Sequence, residues 1–319
     1  MFNIFTTTFG AIFQLVLVGF VGFWLTRRKT ISDGGLDMLS DLVVEVFLPL
    51  FMFAEIIRRF SFREYPDWWI YPLLSVVVSG AGFAFAYVVL RSDRLGIKHP
   101  EEFLGLSTFQ NSGYLPLPLV ASLLSVGAAN RMFIYIFLFL LGFNMMIFSA
   151  GVFILTPART RRFDPRKILN PPVVATLVAL LIAFVGGQKF IPEFILRPAE
   201  ALGRCAIPLS VLVVGGNLAL MKVEKNVGRP MISVLLIKLV ILPLFFLGVV
   251  FLFRPSPLMG LLIILQAAMP PAVLLTVVCR NQDCEDKLIT QSIFYGHLAC
   301  IITIPLVLAL YQVFISVLY

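Results

Sequence analysis

The sequence predicts an all-α integral membrane protein: ten transmembrane helices in a five-plus-five inverted repeat, with helices four and nine broken at prolines. Three observations carry this. The first is composition: of 319 residues, 60% are hydrophobic and only 13% charged, Phe occurs 31 times, and mean hydropathy is +0.98. A soluble domain carries about 25% charged residues, and a single water-soluble core of this size cannot bury so much apolar surface. A soluble enzyme, a disordered chain and a secreted disulfide scaffold are thereby excluded. The second is the succession of apolar stretches, each about the 20 residues that a membrane-crossing helix needs. The third is a correspondence between the two halves of the chain.

The stretches run over residues 4–25, 36–57, 69–90, 103–126, 132–155, 171–188, 196–220, 231–253, 257–279 and 288–316. The first lacks a basic leader and is long enough to span, so it reads as a helix rather than a cleavable signal peptide. The net charge of +8 does not read as nucleic-acid binding, because the basic residues sit in short clusters between apolar runs. Connections after odd-numbered spans carry sixteen Lys and Arg residues, those after even-numbered spans seven. The excess places odd connections in the cytoplasm and both termini outside, in a plasma or inner membrane; only the cluster Arg58, Arg59, Arg63 runs the other way.

The repeat is legible in spans four and nine. At an offset of 155, Gly105 meets Gly260, Asn111 meets Gln266 and Pro116 meets Pro271; in spans two and seven Pro49 corresponds to Pro208 at 159. Five helices is an odd number, so the second half enters the membrane upside down. The units are 1–157, a basic cytoplasmic connection over 158–170, and 171–319.

Proline removes a backbone donor and clashes with the carbonyl four residues earlier. Pro116 and Pro118, loosened further by Gly113, and Pro270 and Pro271 therefore predict breaks near mid-membrane. Irregular backbone is tolerated there only inside protein or along a wet cavity. Proline suits a first helical turn, so helix is expected to restart at Pro116 and Pro271. Each restart would aim free N–H groups and a positive dipole end at the midplane, a site for an anion. The competing reading is a pair of kinks that serve packing.

Charges inside spans are costly. Lys238 either snorkels to the cytoplasmic surface or turns inward. Glu45 and Arg204, each four residues before a repeat proline, suggest an ion pair between spans two and seven, or two groups in separate wet crevices. Asp37 and Asp41 read as the solvated end of span two. Asn144 is a candidate lining residue, and Ser149 and Asn217 are candidates for bonds to neighbouring helices. His297 is either a proton carrier or a packed residue. Thr108, Gln110 and Tyr114 flank the first break. Cys205, Cys279, Cys284 and Cys300 form no tight metal motif. No nucleotide-binding loop occurs, no cofactor is implied, and no paired acids or nucleophile–base set indicates an enzyme.

The segments QNSGYLPLPLV (110–120), PLSVLVVGGNL (208–218), KLVILP (238–243) and AAMPPAVLL (267–275) resemble the auxin efflux carrier family of plant exporters and bacterial organic-acid permeases. The resemblance implies a fold similar to bile-acid and sodium/proton transporters, with spans four and nine crossing at their breaks. A carboxylate would be contacted there by Asn111 and the peptide N–H groups of Ser112, Gly113, Tyr114 and neighbours up to Pro116. Gln266, Pro270 and Pro271 would complete the site. The resemblance also implies a homodimer scaffold of spans one, two, six and seven, against which the other six move as an elevator. Asn217 and His297 depart from the expected pattern, a small residue and a hydroxyl residue being commoner there.

The function expected is secondary active transport of small organic anions, auxin-like monocarboxylates or dicarboxylates, coupled to a proton, to sodium or to the membrane potential. The alternatives are a cation/proton antiporter, which would want carboxylates at the breaks, and a transporter-like membrane sensor without net flux.

Overall fold

The computed structural model describes residues 2–92, 96–155, 164–221, 228–276 and 287–318, and every element among them is helical apart from one isolated β-bridge. The helices are α1 (Phe2–Arg27), α2 (Asp33–Leu42), α3 (Leu48–Arg59), α4 (Ile70–Arg91), α5 (Pro100–Thr108), α6 (Pro116–Leu123), α7 (Val126–Met146) and α8 (Val152–Leu155). They continue as α9 (Pro171–Phe184), α10 (Glu193–Arg204), α11 (Ala206–Leu220), α12 (Arg229–Leu236), α13 (Leu242–Phe253), α14 (Pro257–Ala267) and α15 (Lys287–Leu318). Among the described residues, six stretches are long and apolar enough to cross a membrane: Thr6–Arg27, Ile70–Arg91, Val126–Leu155, Glu193–Leu220, Arg229–Phe253 and Lys287–Ile315. α9 and α14 are apolar but shorter.

Among the described residues, three single π turns interrupt long helices, at Val43–Phe47, Ile147–Gly151 and Ile237–Ile241. Two have a local cause. Pro49 and Pro243 each lack an N–H and crowd the carbonyl four residues back, so the ladder slips by one residue just before them. The polar residues Glu45, Ser149 and Lys238 each sit within one of these turns.

Small residues decide where helices touch. A Cβ on Gly215 would collide with the Gly19 carbonyl, and one on Gly22 with the Leu212 carbonyl, so α1 and α11 pack backbone to backbone. Likewise a Cβ on Gly82 would strike the Ser107 carbonyl, which seats α4 directly on the last turn of α5. The core is one continuous apolar cluster, dominated by the Phe side chains of α3, α5 and α7. Phe20, Leu181 and Phe253 lie on the exterior, as expected where lipid is the solvent.

At one end of the bundle α3 and α10 are joined by charge. Arg58 forks onto Glu193 at 3.1 and 2.9 Å and reaches Glu200 at 3.0 Å. Hydrogen bonding to Glu193 raises the Arg58 guanidinium above its ordinary pKa. Gln188 caps the end of α3 through the carbonyls of Ile57 (3.0 Å) and Phe60 (2.7 Å). Arg58 and Arg59 are thus engaged by Glu193, Glu200 and Glu55.

The expected Glu45–Arg204 pair is not formed. Arg204 binds Glu200 at 2.8 Å and faces the buried carboxylate of Glu55 at 3.8 Å, whereas Glu45 is exposed. Gly203 packs on the backbone of Phe51 in the first turn of α3, and the Arg204 side chain extends along α3 toward Glu55 rather than back toward Glu45. Aligning Pro49 with Pro208 misjudged the depth at which the helices cross.

Several predicted features lie outside the described residues: Arg94, Arg159, Arg161, Arg162, Lys222, Lys225, Arg280, Cys279 and Cys284, residues 158–163 of the connection 158–170, and the end of the span 257–279.

Candidate functional site

Helix α5 stops at Thr108 and helix resumes at Pro116; α14 stops at Ala267 and helix resumes at residue 274. Both predicted breaks are therefore present, and the two extended segments cross. Asn111 N–H donates to Pro270 O at 2.9 Å and Ala272 N–H donates to Phe109 O at 3.1 Å, forming an antiparallel bridge of Gln110 with Pro271. Each break satisfies the backbone that the other strips of its helical partners, which is what a buried break requires.

One expectation changes here. Pro116 does open α6, but Pro271 lies in the bridge, and the second helix resumes three residues later. In the bridge Asn111 and Ala272 donate, and Phe109 and Pro270 accept.

Gln266 sits in the last turn of α14, fully buried, and its Nε2 donates to Ser112 O at 3.1 Å. The side chain of Asn111 is turned two ways: Oδ1 accepts from Tyr114 N–H at 3.2 Å, and Nδ2 lies 3.2 Å from His297 Nε2. Tyr114 O in turn accepts from Ser210 Oγ of α11 at 3.2 Å.

The free donors are not in the first turn of α6, because Pro116 and Pro118 have no N–H and Leu117 N–H is held by Gly113 O at 3.3 Å. They lie in the linker before it. The N–H groups of Ser112, Gly113 and Leu115 have no acceptor among the described residues.

Lys238 turns inward. It is fully buried, and its Nζ is 3.4 Å from Gln110 Oε1, which also accepts from Ser79 Oγ at 3.5 Å. The Nε2 of Gln110 and the Oε1 of Gln266 are buried without partners among the described residues. Ser79 was not singled out in the sequence; a lone hydroxyl in an apolar span gives too weak a signal. Glu55 was missed as well, although its spacing to Arg59 was legible.

The remaining candidates fall elsewhere. Asn144 is half-buried on α7 and makes no hydrogen bond to the crossing among the described residues. Asn217 and Ser149 bond within their own helices, to Val213 O at 3.0 Å and Met145 O at 2.6 Å. Glu45 and Arg204 belong to the helix run and the charge clasp described above.

A largely apolar cavity of about 330 Å³ lies between α1, α11 and α15. His297 and Cys300 line it, as do Leu115 and Leu119 beside the first break.

A polytopic helical membrane protein whose interrupted helices cross in a buried polar centre has the architecture of a transporter. The chain belongs to the auxin efflux carrier family: the family model described as membrane transport protein matches residues 7–165 and 160–308. An uncharacterized transporter of Methanothermobacter thermautotrophicus is 23% identical, covering 94% of this chain and 96% of that protein. Protein PIN-LIKES 2 of Arabidopsis thaliana is 24% identical over 46% of this chain and 35% of its own length. An uncharacterized transporter of Saccharomyces cerevisiae is 28% identical over 44% of this chain and 23% of its own.

Proposed function

We propose that this membrane transporter carries small organic anions by secondary active transport, binding a carboxylate at the crossing. The observation that carries the proposal is the donor set gathered there: the unpartnered N–H groups of Ser112, Gly113 and Leu115, with the second hydrogen of Asn111 Nδ2. Unpartnered peptide N–H groups at a helix entry suit an anion. Residues 109–116 and 267–272 carry no carboxylate, so the cation-antiport alternative lacks a ligand within the crossing segments. The adjoining apolar cavity offers room for the body of a monocarboxylate.

The mechanism follows from an inverted repeat of five and five helices, with spans one, two, six and seven as a dimeric scaffold and the crossing carried by a moving bundle. In this reading Lys238 supplies positive character behind the bridge, both termini face outside, and the coupling ion is a proton or sodium. Flux into proteoliposomes of a panel of radiolabelled mono- and dicarboxylates tests the proposal. Saturable uptake that Asn111→Ala abolishes supports it; specific binding with no flux under any gradient would favour a sensor.

A further inference from the structure

Asn111 and His297 form the end of a hydrogen-bond chain whose polarity is fixed from both sides. At one end is Tyr114 N–H, which only donates, so the atom facing it at 3.2 Å is the amide oxygen of Asn111. The amide nitrogen must then face His297 Nε2, 3.2 Å away. At the other end His297 Nδ1 is 2.8 Å from Ile293 O, a carbonyl that only accepts. Nδ1 therefore carries the hydrogen, and Nε2 presents a lone pair to Asn111 Nδ2. Every hydrogen is placed without choice, and only the neutral imidazole fits. The ring is buried, beside the cavity between α1, α11 and α15.

Adding a proton breaks the chain. A protonated ring donates from both nitrogens, so Nε2–H would face the Asn111 amide hydrogens. Turning the amide over only moves the conflict, because Nδ2 would then face Tyr114 N–H. Oδ1 and Nδ2 belong to one rigid carboxamide, so the turn that takes Nδ2 off a protonated His297 also takes Oδ1 off Tyr114 N–H.

We propose that His297 is a positioning residue that locks Asn111 for anion binding while neutral and releases it when protonated, making the crossing proton-responsive. The proposal rests on the crossing being the ligand site for its functional consequence, but the lock itself does not require it. The charged and titratable side chains of the surrounding elements are few. α1 contributes Arg27, α5 contributes Glu101 and Glu102, the run from α12 to α13 contributes Arg229 and Lys238, and α6, α11 and α14 contribute none. Lys238 Nζ is engaged by Gln110 Oε1. Within α15, Cys300 Sγ donates to the His297 carbonyl at 3.0 Å rather than to the ring.

The chain has two histidines, His99 and His297, so His99→Gln protein reports on His297 alone. In nanodiscs, ¹⁵N NMR of histidine-labelled His99→Gln protein at pH 8 should show hydrogen on Nδ1 and none on Nε2; the opposite tautomer overturns the proposal. Hydrogen–deuterium exchange over residues 112–116 reads the lock through Tyr114 N–H. Between pH 8 and pH 4, after correction for intrinsic exchange, its protection should fall about three- to tenfold, the loss of one hydrogen bond. His297→Gln, whose carboxamide can accept without titrating, should remove that fall. No fall in the unaltered chain, or the same fall in His297→Gln, overturns the proposal. Neither measurement involves flux, so an absence of anion transport would refute the transport reading and leave this one standing.

Discussion

The contact between Lys238 and Gln110 makes an asymmetric prediction. Gln110 Oε1 serves two donors, Lys238 Nζ at 3.4 Å and Ser79 Oγ at 3.5 Å, in a fully buried setting. Gln110→Leu removes that acceptor and strands the amine, whose hydrogens can only donate. Stranding a buried donor costs about 1–3 kcal/mol, and more if it is charged, so about 3 kcal/mol is expected. Lys238→Met removes the donor and keeps the volume. Oε1 still has the Ser79 hydroxyl, so the loss should be nearer 1 kcal/mol. The double variant no longer contains a stranded amine, only a Ser79 hydroxyl that has lost its acceptor, and should lie far nearer Lys238→Met than Gln110→Leu. Thermal unfolding in nanodiscs reads this: at about 2–4 °C per kcal/mol, Gln110→Leu should fall by about 6–12 °C and the other two by about 2–4 °C. Additive losses in the double variant, or Gln110→Leu no worse than Lys238→Met, would refute the reasoning.

Other expectations follow from the same structure. Asn111→Ala should abolish saturable carboxylate flux while Asn217→Ala, which loses only a bond to Val213 O, leaves it within about twofold; equal losses in both would count against a special role for the crossing. Gly82→Val drives a side chain into the Ser107 carbonyl and should cost about 1–3 kcal/mol or prevent folding, seen as a lost monodisperse peak in detergent; normal stability would contradict the close α4–α5 contact. Glu55→Ala leaves Arg59 and Arg204 without a shared carboxylate. Because both guanidinium groups reach solvent, the cost should be about 1–2 kcal/mol, against about 0.5 kcal/mol or less for Arg204→Gln, and a reversed order of melting temperatures would be inconsistent with the clasp.

Much of the fold was legible because lipid imposes simple rules. Apolar length sets where helices run, and nine of the ten predicted stretches coincide with described helical runs over most of their length. In the stretch 257–279, α14 covers the first part and the rest lies partly outside the described residues. Prolines announced the breaks, since a missing N–H cannot be repaired within a helix. The partners of the broken backbone were not legible. That Asn111 meets Pro270 and Phe109 meets Ala272 depends on the crossing geometry, which counting along the chain does not supply.

The sequence by itself determined the membrane environment, the helical class and the positions of both breaks, because each depends on local composition or on a single residue's missing donor. Only the tertiary structure decided which polar groups meet. Lys238 turns to Gln110, His297 to Asn111, and Arg204 to Glu200 and Glu55 rather than Glu45. The reason is physical: a buried polar side chain is placed by whatever partner the packing of distant helices brings within about 3 Å. That packing is set by small residues such as Gly82, Gly203 and Gly215, whose consequences appear only once the helices are in contact.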